Sequence, residues 1–233
     1  MDNRFITELK ALCAAGGIPI SDAQLEQMNA YYEILRAENQ KYNLTAVTTP
    51  EEAALKHFYD SIVPCGIIEQ DASLVDVGSG GGFPGVPLKI MRPDIQVTAL
   101  ESSQKKCTFI ETAARAAGVA VTTVSARAEE EARGPLRESF DVLTARAVAA
   151  LPVLVEITSG LVKPDGMLLL YKADYTEEIQ AAEGGLKKLN LEFSEAIALP
   201  GGNLAHFVLV FRKTGSTPAE LPRRYAQIKK KPL

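Results

Sequence analysis

The sequence predicts an α/β fold: a mostly parallel, seven-stranded sheet with helices on both faces and an N-terminal helical extension. Three observations carry this. From residue 73 onward, apolar runs of strand length alternate with helical stretches, the order that builds βαβ units. The first run, Leu74-Val-Asp-Val-Gly-Ser-Gly-Gly-Gly-Phe-Pro-Gly85, passes into five glycines within eight residues. That reads as a buried strand entering a tight loop and then a helix. The last two apolar runs are joined by Gly201-Gly-Asn203, too short for a crossover, so the final strand is expected to be antiparallel.

Residues 4–15 and 21–40 are expected to be helical. A Ser21/Gln24 capping box opens the second, which carries Leu25, Met28, Tyr32 and Leu35 at helical spacing. Such a stripe marks a packed face, so these helices are read as a cap on the main domain. Lys41 to Ala46 breaks the helical period. A third helix starts at Thr49, with Pro50 at its first position and Glu52 closing a second capping box. It carries His57, Asp60 and Ser61 before Pro64 stops it. Strands are expected at 74–77, 96–100, 119–124, 140–144, 167–171, 191–199 and 205–212. Helices are expected at 84–92, 103–117, 150–162 and 175–189, with Pro84 suited to a first turn and Gly118 to a helix end. Cys107, Ile110 and Ala114 mark the inward face of the second of these, and Lys163-Pro-Asp-Gly166 reads as a turn. Three regions result: a helical cap (1–65), the main domain (66–214) and a basic C-terminal tail (215–233).

Composition narrows the function. The hydrophobic fraction is 46% of 233 residues, enough for one large core. Net charge is −4, unlike a wholly basic nucleic-acid binder. The last thirteen residues hold Arg223, Arg224, Lys229, Lys230 and Lys231 and no acid, and subtracting their +5 leaves −9 on residues 1–220. That asymmetry suits either a tail for a polyanion or a merely solvated end. Cys13, Cys65 and Cys107 are isolated, and His57 and His206 are the only histidines. No metal site is therefore expected, and a reducing, cytoplasmic setting is. The N-terminus does not read as a signal peptide, and no run of about 18 apolar residues suggests a membrane span.

The glycine bend admits three readings. Gly80, Gly82 and Gly85 match the dinucleotide pattern G-x-G-x-x-G. Asp76-x-Gly78-x-Gly80-x-Gly82 instead matches the acid-first motif of the Rossmann-like S-adenosylmethionine (SAM) methyltransferases. SAM carries no phosphate and needs acids for its ammonium and its ribose, whereas Asp76 would repel a pyrophosphate. The third reading is a turn with no ligand. Ligands of such sheets sit at the carboxyl ends of the strands. Glu101 there could accept from ribose hydroxyls in either cofactor. Ala128 and Glu129, after the third strand, could meet an adenine edge, or simply open a helix. Phe83 could pack beside a bound methionine or belong to the core. Arg146, past the fourth strand, could hold a carboxylate or a phosphate. His57 and Asp60 share a helix face, where an exposed ion pair or local hydrogen bonds would account for them.

Absences count too. The Asp/Asn-Pro-Pro-aromatic motif of exocyclic amine methylation is missing, since that position reads Thr-Ala-Arg-Ala-Val148. No cysteine stands where cytosine C5 methylation needs its nucleophile. Guanine N7 has a free lone pair and no proton to remove, so alignment with the methyl donor would supply most of the rate.

Asn43-Leu-Thr-Ala46, His57-x-x-Asp60-Ser61, the bend from Asp76 to Gly85, Glu101-Ser with Lys105-Lys106, Ala126-Arg-Ala-Glu129, Ala145-Arg-Ala147 and the terminal Lys-Pro-Leu233 occur in order. Together, from about residue 20 to the C-terminus, they resemble the bacterial small-subunit rRNA guanine-N7 methyltransferases, the RsmG family, once called glucose-inhibited division protein B. The resemblance implies a Rossmann-like class I SAM-dependent methyltransferase fold, SAM as donor, no metal, and N7 of a guanine in 16S rRNA as acceptor. It implies SAM contacts at Gly78, Phe83, Ala128, Glu129 and Arg146, with Glu101 at the ribose. The rRNA, or a small ribosomal subunit or assembly intermediate, would be met by Asn43, Arg223, Arg224, Lys229, Lys230 and Lys231, with Lys41 and Arg146 nearby. A cytoplasmic monomer is expected. The tail departs from the family's usual Gly and Pro, with Ala226 and Ile228 in those places, which leaves its conformation open. The rival functions are a SAM-dependent methyltransferase for a protein or small molecule, an NAD-binding oxidoreductase, and a non-catalytic ribosome-binding module.

Overall fold

The computed structural model describes residues 3–42, 44–47, 49–173, 175–199 and 206–233. Asn43 and the Gly201-Gly-Asn203 turn lie outside the described residues. Helices α1 (Arg4–Ala15) and α2 (Asp22–Tyr42) form the N-terminal extension. The α2 capping box is closed on both sides: Ser21 N–H donates to Gln24 Oε1 at 2.9 Å, and Gln24 N–H to Ser21 Oγ at 3.2 Å. The third helix divides. α3 (Pro50–Ala53), capped by Thr49 Oγ1, widens into a π-helical turn over Ala54–Tyr59. It continues as α4 (Asp60–Ile62) and a 3₁₀ turn at Val63–Ile67. Periodicity alone does not foresee that widening, which puts His57 on a register no straight helix would give it.

The sheet contains β1 (Ser73–Val77), β2 (Gln96–Leu100), β3 (Thr122–Val124), β4 (Phe140–Arg146), β5 (Val162–Lys172), β6 (Leu191–Leu199) and β7 (His206–Lys213). Their order is β3-β2-β1-β4-β5-β7-β6. The first five run parallel, and β7 is antiparallel to both β5 and β6. Between them lie α5 (Gly85–Met91), α6 (Gln104–Ala116), α7 (Ala128–Glu131), α8 (Leu151–Thr158) and α9 (Thr176–Lys188).

Two expectations change, and the conformation left open for the tail is resolved. The supposed turn at Lys163–Gly166 is an excursion within β5: Phe140 pairs with Val162 and Val142 with Met167, so these four residues oppose one, with Asp165 at φ +67°. β3 starts at Thr122 rather than 119, because Val119 N–H closes the end of α6 on Ala114 O. The tail, which the sequence leaves open between packing on the domain and extending from it as a solvated end, is packed. Arg137 donates to the carbonyls of Thr217 and Leu221, and the chain finishes in α10 (Tyr225–Lys230), with Ile228 fully buried. Ala226 and Ile228 let a helix form where Gly and Pro would oppose it.

The core is continuous across the expected cap boundary. Phe5, Leu9, Met28, Tyr31 and Leu35 of α1 and α2 share one buried cluster with Phe83, Val86, Ile90, Phe109 and Ile110 of the main domain.

Candidate active site

The site begins with a strut. Asp76 is fully buried in β1. Its Oδ1 accepts from Thr144 Oγ1 of β4 at 2.9 Å, and its Oδ2 from Gly85 N–H at 3.1 Å. Ser79 Oγ closes the turn on Asp76 O at 2.7 Å. Burial raises the carboxyl to about 6, against these hydrogen bonds. The expectation that Asp76 offers its carboxylate to a ligand is corrected: both oxygens are engaged and none of the residue is exposed.

Around this strut the bend takes φ of +68°, +57° and +87° at Gly78, Gly80 and Gly82, conformations that side chains avoid. The second and third glycines of the G-x-G-x-x-G spacing are packed inward. A Cβ on Gly82 would lie 2.3 Å from the Tyr31 hydroxyl, and one on Gly85 2.9 Å from Asp76 Oδ2. Tyr31 Oη donates to Gly81 O at 2.9 Å, so the N-terminal extension holds the bend in shape. On the other side, Glu101 Oε2 accepts from Gly80 N–H at 3.1 Å and Oε1 from Ser103 N–H at 2.9 Å.

A cavity of about 710 Å³ opens at the carboxyl ends of β1, β4 and β5. Gly78, Phe83 and Arg146 all line it, so the structure brings three expected site residues together. Glu101 stands one layer behind, joined through Gly80. Ala128 and Glu129 are buried at the start of α7 and do not line this cavity. His57 and Asp60, read from sequence as an exposed ion pair or as locally hydrogen-bonded groups, line it too. His57 stacks on Phe83 with ring centroids 4.8 Å apart, and the Arg146 guanidinium sits 5.4 Å from the Phe83 centroid. Arg146 Nη1 donates to Lys56 O at 2.8 Å and its Nη2 faces His57 Nδ1 at 3.5 Å. The other ring nitrogen, Nε2, lies 2.6 Å from Thr45 Oγ1, so both nitrogens of His57 have a polar neighbour. Burial, then Arg146, depresses His57 to about 3. Burial raises Asp60 to about 6, opposed by Arg146 and Lys56. Ala147 adopts φ +56°, which sets Val148 over Gly78, where a Cβ would meet it at 2.7 Å.

Sequence reasoning did not single out Tyr171 and Lys172, at the end of β5 and on the cavity wall. The strand-end rule applied to β5 could have found them. Tyr171 Oη donates to Ser61 O at 2.9 Å, and Lys172 Nζ to Ala149 O at 2.8 Å and Glu178 Oε2 at 2.6 Å. The tail also divides. Arg223, itself partly exposed, is bidentate to buried Glu156, at 2.7 and 2.6 Å. Its expected role as an RNA contact would have to be shared with this ion pair. Arg224, Lys229, Lys230 and Lys231 are exposed. Among the described residues, no cluster of three metal-ligating side chains occurs and no helix is long and apolar enough to cross a membrane.

The chain is similar in fold to the ribosomal protein L11 methylase of Lactobacillus delbrueckii subsp. bulgaricus, with a TM-score of 0.53, 17% identity, and 67% of this chain and 77% of that one covered. It is similarly like the [4+2]-cyclase SpnF, with a TM-score of 0.58, 14% identity, and 84% and 98% covered. A methylase and a cyclase thus share this architecture, and fold alone does not select a reaction. Sequence comparison is more specific. The family model described as rRNA small subunit methyltransferase G matches residues 24–199. Ribosomal RNA small subunit methyltransferase G of Bacillus velezensis is 41% identical, covering 98% of both chains. That of Acetivibrio thermocellus is 39% identical, covering 93% of this chain and 92% of the other. With the match running through the glycine bend, the π-helical turn and the end of β4, this chain belongs to the rRNA small subunit methyltransferase G family.

Proposed function

We propose that this protein is a SAM-dependent methyltransferase that modifies N7 of a guanine in small-subunit rRNA. The observation that carries the reading is a cavity walled by the glycine bend and Arg146, in a chain of this family. The residues fit SAM. Gly78 and Gly80 present bare backbone at the cavity wall, Arg146 supplies a cation for the methionyl carboxylate, and Glu101 stands next to Gly80 for the ribose. Ala128 and Glu129 remain proposed adenine contacts, reached along the sheet edge outside the main cavity. When bound, SAM supplies an activated methyl group. The guanine N7 lone pair would receive that methyl group, the electrons of the carbon–sulfur bond staying with sulfur. No proton leaves the base, so no general base is required. His57 suits that chemistry: held to about 3, it is a poor proton acceptor near neutral pH, and it acts as a flat, neutral wall on Phe83.

RNA would cross the cavity mouth, guided by the exposed Arg224, Lys229, Lys230 and Lys231. The acceptor base must leave its stack or lie in an open loop. The test is N7-methylguanosine mapping in rRNA from cells with and without the gene, followed by transfer to bare 16S rRNA and to small subunits in vitro. One guanine should lose its N7 mark in the deletion. Methylation of another base atom, or of none, overturns the reading.

A further inference from the structure

The methionyl end of SAM is a zwitterion. A site that holds its carboxylate on Arg146 must also meet an ammonium. Asp76 is unavailable, buried with both oxygens engaged. Glu101 does not line the cavity and stands beside Gly80, where the reading above gives it to the ribose. Glu129, the remaining acid at a strand end, does not line the cavity.

Asp60 does line it, and it is the only carboxylate among the described lining residues. It is 9% exposed, and its Oδ1 is buried with no hydrogen-bond partner. A desolvated carboxylate oxygen left unpaired is costly, and native proteins keep such atoms where a ligand or water completes them. Its position is rigid: Tyr171 Oη grips the carbonyl of neighbouring Ser61, and Ser61 Oγ grips His57 O. The charges facing Asp60 are Arg146 from β4 and Lys56 from the π-helical turn. Arg146 already donates to Lys56 O, which holds it on Asp60's own segment. Cation and anion therefore flank one end of the cavity, the complement of an amino-acid zwitterion.

Resting on the SAM reading above, we infer that Asp60 is the anionic contact for the methionyl ammonium, with Arg146 holding the carboxylate. The test is calorimetric and needs no turnover. S-adenosylhomocysteine and its des-amino analogue, with hydrogen in place of the ammonium, are titrated into the wild-type protein and into Asp60→Asn. The wild type should lose affinity on the order of tenfold to hundredfold with the analogue, as expected for a charge-assisted hydrogen bond. Asp60→Asn should bind both compounds with nearly equal, weakened affinity. The inference is overturned if the wild type barely distinguishes the two, a result that needs no variant to fold. It is also overturned if Asp60→Asn keeps the wild-type discrimination. An unchanged affinity of Asp60→Asn for S-adenosylhomocysteine with a raised KM for rRNA would assign Asp60 to the acceptor base instead. Failure of the wild type to bind S-adenosylhomocysteine at all would overturn the SAM reading itself, and with it this inference.

Discussion

Gly80 and Gly82 sit two residues apart and both adopt positive φ, yet they face different environments. The nearest atom to a Cβ on Gly80 is Gly78 O at 3.8 Å, whereas on Gly82 it is the Tyr31 hydroxyl at 2.3 Å. Gly80→Ala should therefore cost about 1–2 kcal/mol of stability, the backbone term alone. Gly82→Ala should cost on the order of 3 kcal/mol or more, because the overlap adds to it. Chemical denaturation of the two variants checks the ranking. His57 offers a signed test of pH dependence. Its folded value of about 3 lies below the ordinary 6.5, so between those values the unfolded chain binds a proton that the native one does not. Its contribution is present above about 6.5 and is lost as pH falls. Asp60 and Asp76 act oppositely: at about 6, above the ordinary 3.8, their contribution is present below about 3.8 and lost as pH rises through 6. His57→Gln should thus destabilise the protein less at pH 4.5 than at pH 7, by about 2–3 kcal/mol. Equal costs at both pH values would contradict a neutral, buried imidazole.

At the scale of elements, α10 separates two kinds of basic residue that look alike in sequence. Glu156 is fully buried in α8, and Arg223 is its bidentate partner. Arg223→Ala leaves that carboxylate without its cation and should lower stability by about 3 kcal/mol, read as a drop in melting temperature. Replacing Lys229, Lys230 and Lys231 with Ala touches only exposed positions, so the melting temperature should hold. The same triple variant should bind 16S rRNA more weakly and with a shallower salt dependence, by up to about 2 in the slope of log K against log salt. A lowered melting temperature with unchanged RNA binding would make these lysines structural and remove them from the RNA path. The π-helical turn shows how local structure feeds the site: one widened turn delivers Lys56, His57 and, next to it, Asp60 to the same cavity.

For the whole molecule, the expected division at residue 65 is a boundary of secondary structure, not of the core. Tyr31 packs among Phe83 and Phe109 and bonds the Gly81 carbonyl. Removing residues 1–47 should expose this apolar surface and loosen the glycine bend. The truncated protein should aggregate or lose SAM binding, whereas the full chain should unfold in a single cooperative transition by calorimetry. A soluble, SAM-binding fragment lacking those helices would show that the extension is a separable domain.

The sequence by itself determined the order of strands and helices, the Ser21/Gln24 capping box, the Thr49 cap, the antiparallel last strand and the glycine bend. These follow from residue period and backbone stereochemistry, which act over a few positions. It also identified Gly78, Phe83 and Arg146 as residues at strand ends, because parallel sheets deliver those ends to one side. Only the tertiary structure decided which way the acids face. Asp76 turns inward because Thr144, on the neighbouring strand, satisfies it. Asp60 turns to the cavity because a π-helical turn rotates its segment and β5 pins it. Arg223 differs from the neighbouring cations because Glu156, far away in sequence, takes it as a bidentate partner. In each case the deciding neighbour comes from a distant part of the chain, and no spacing within a motif can report it.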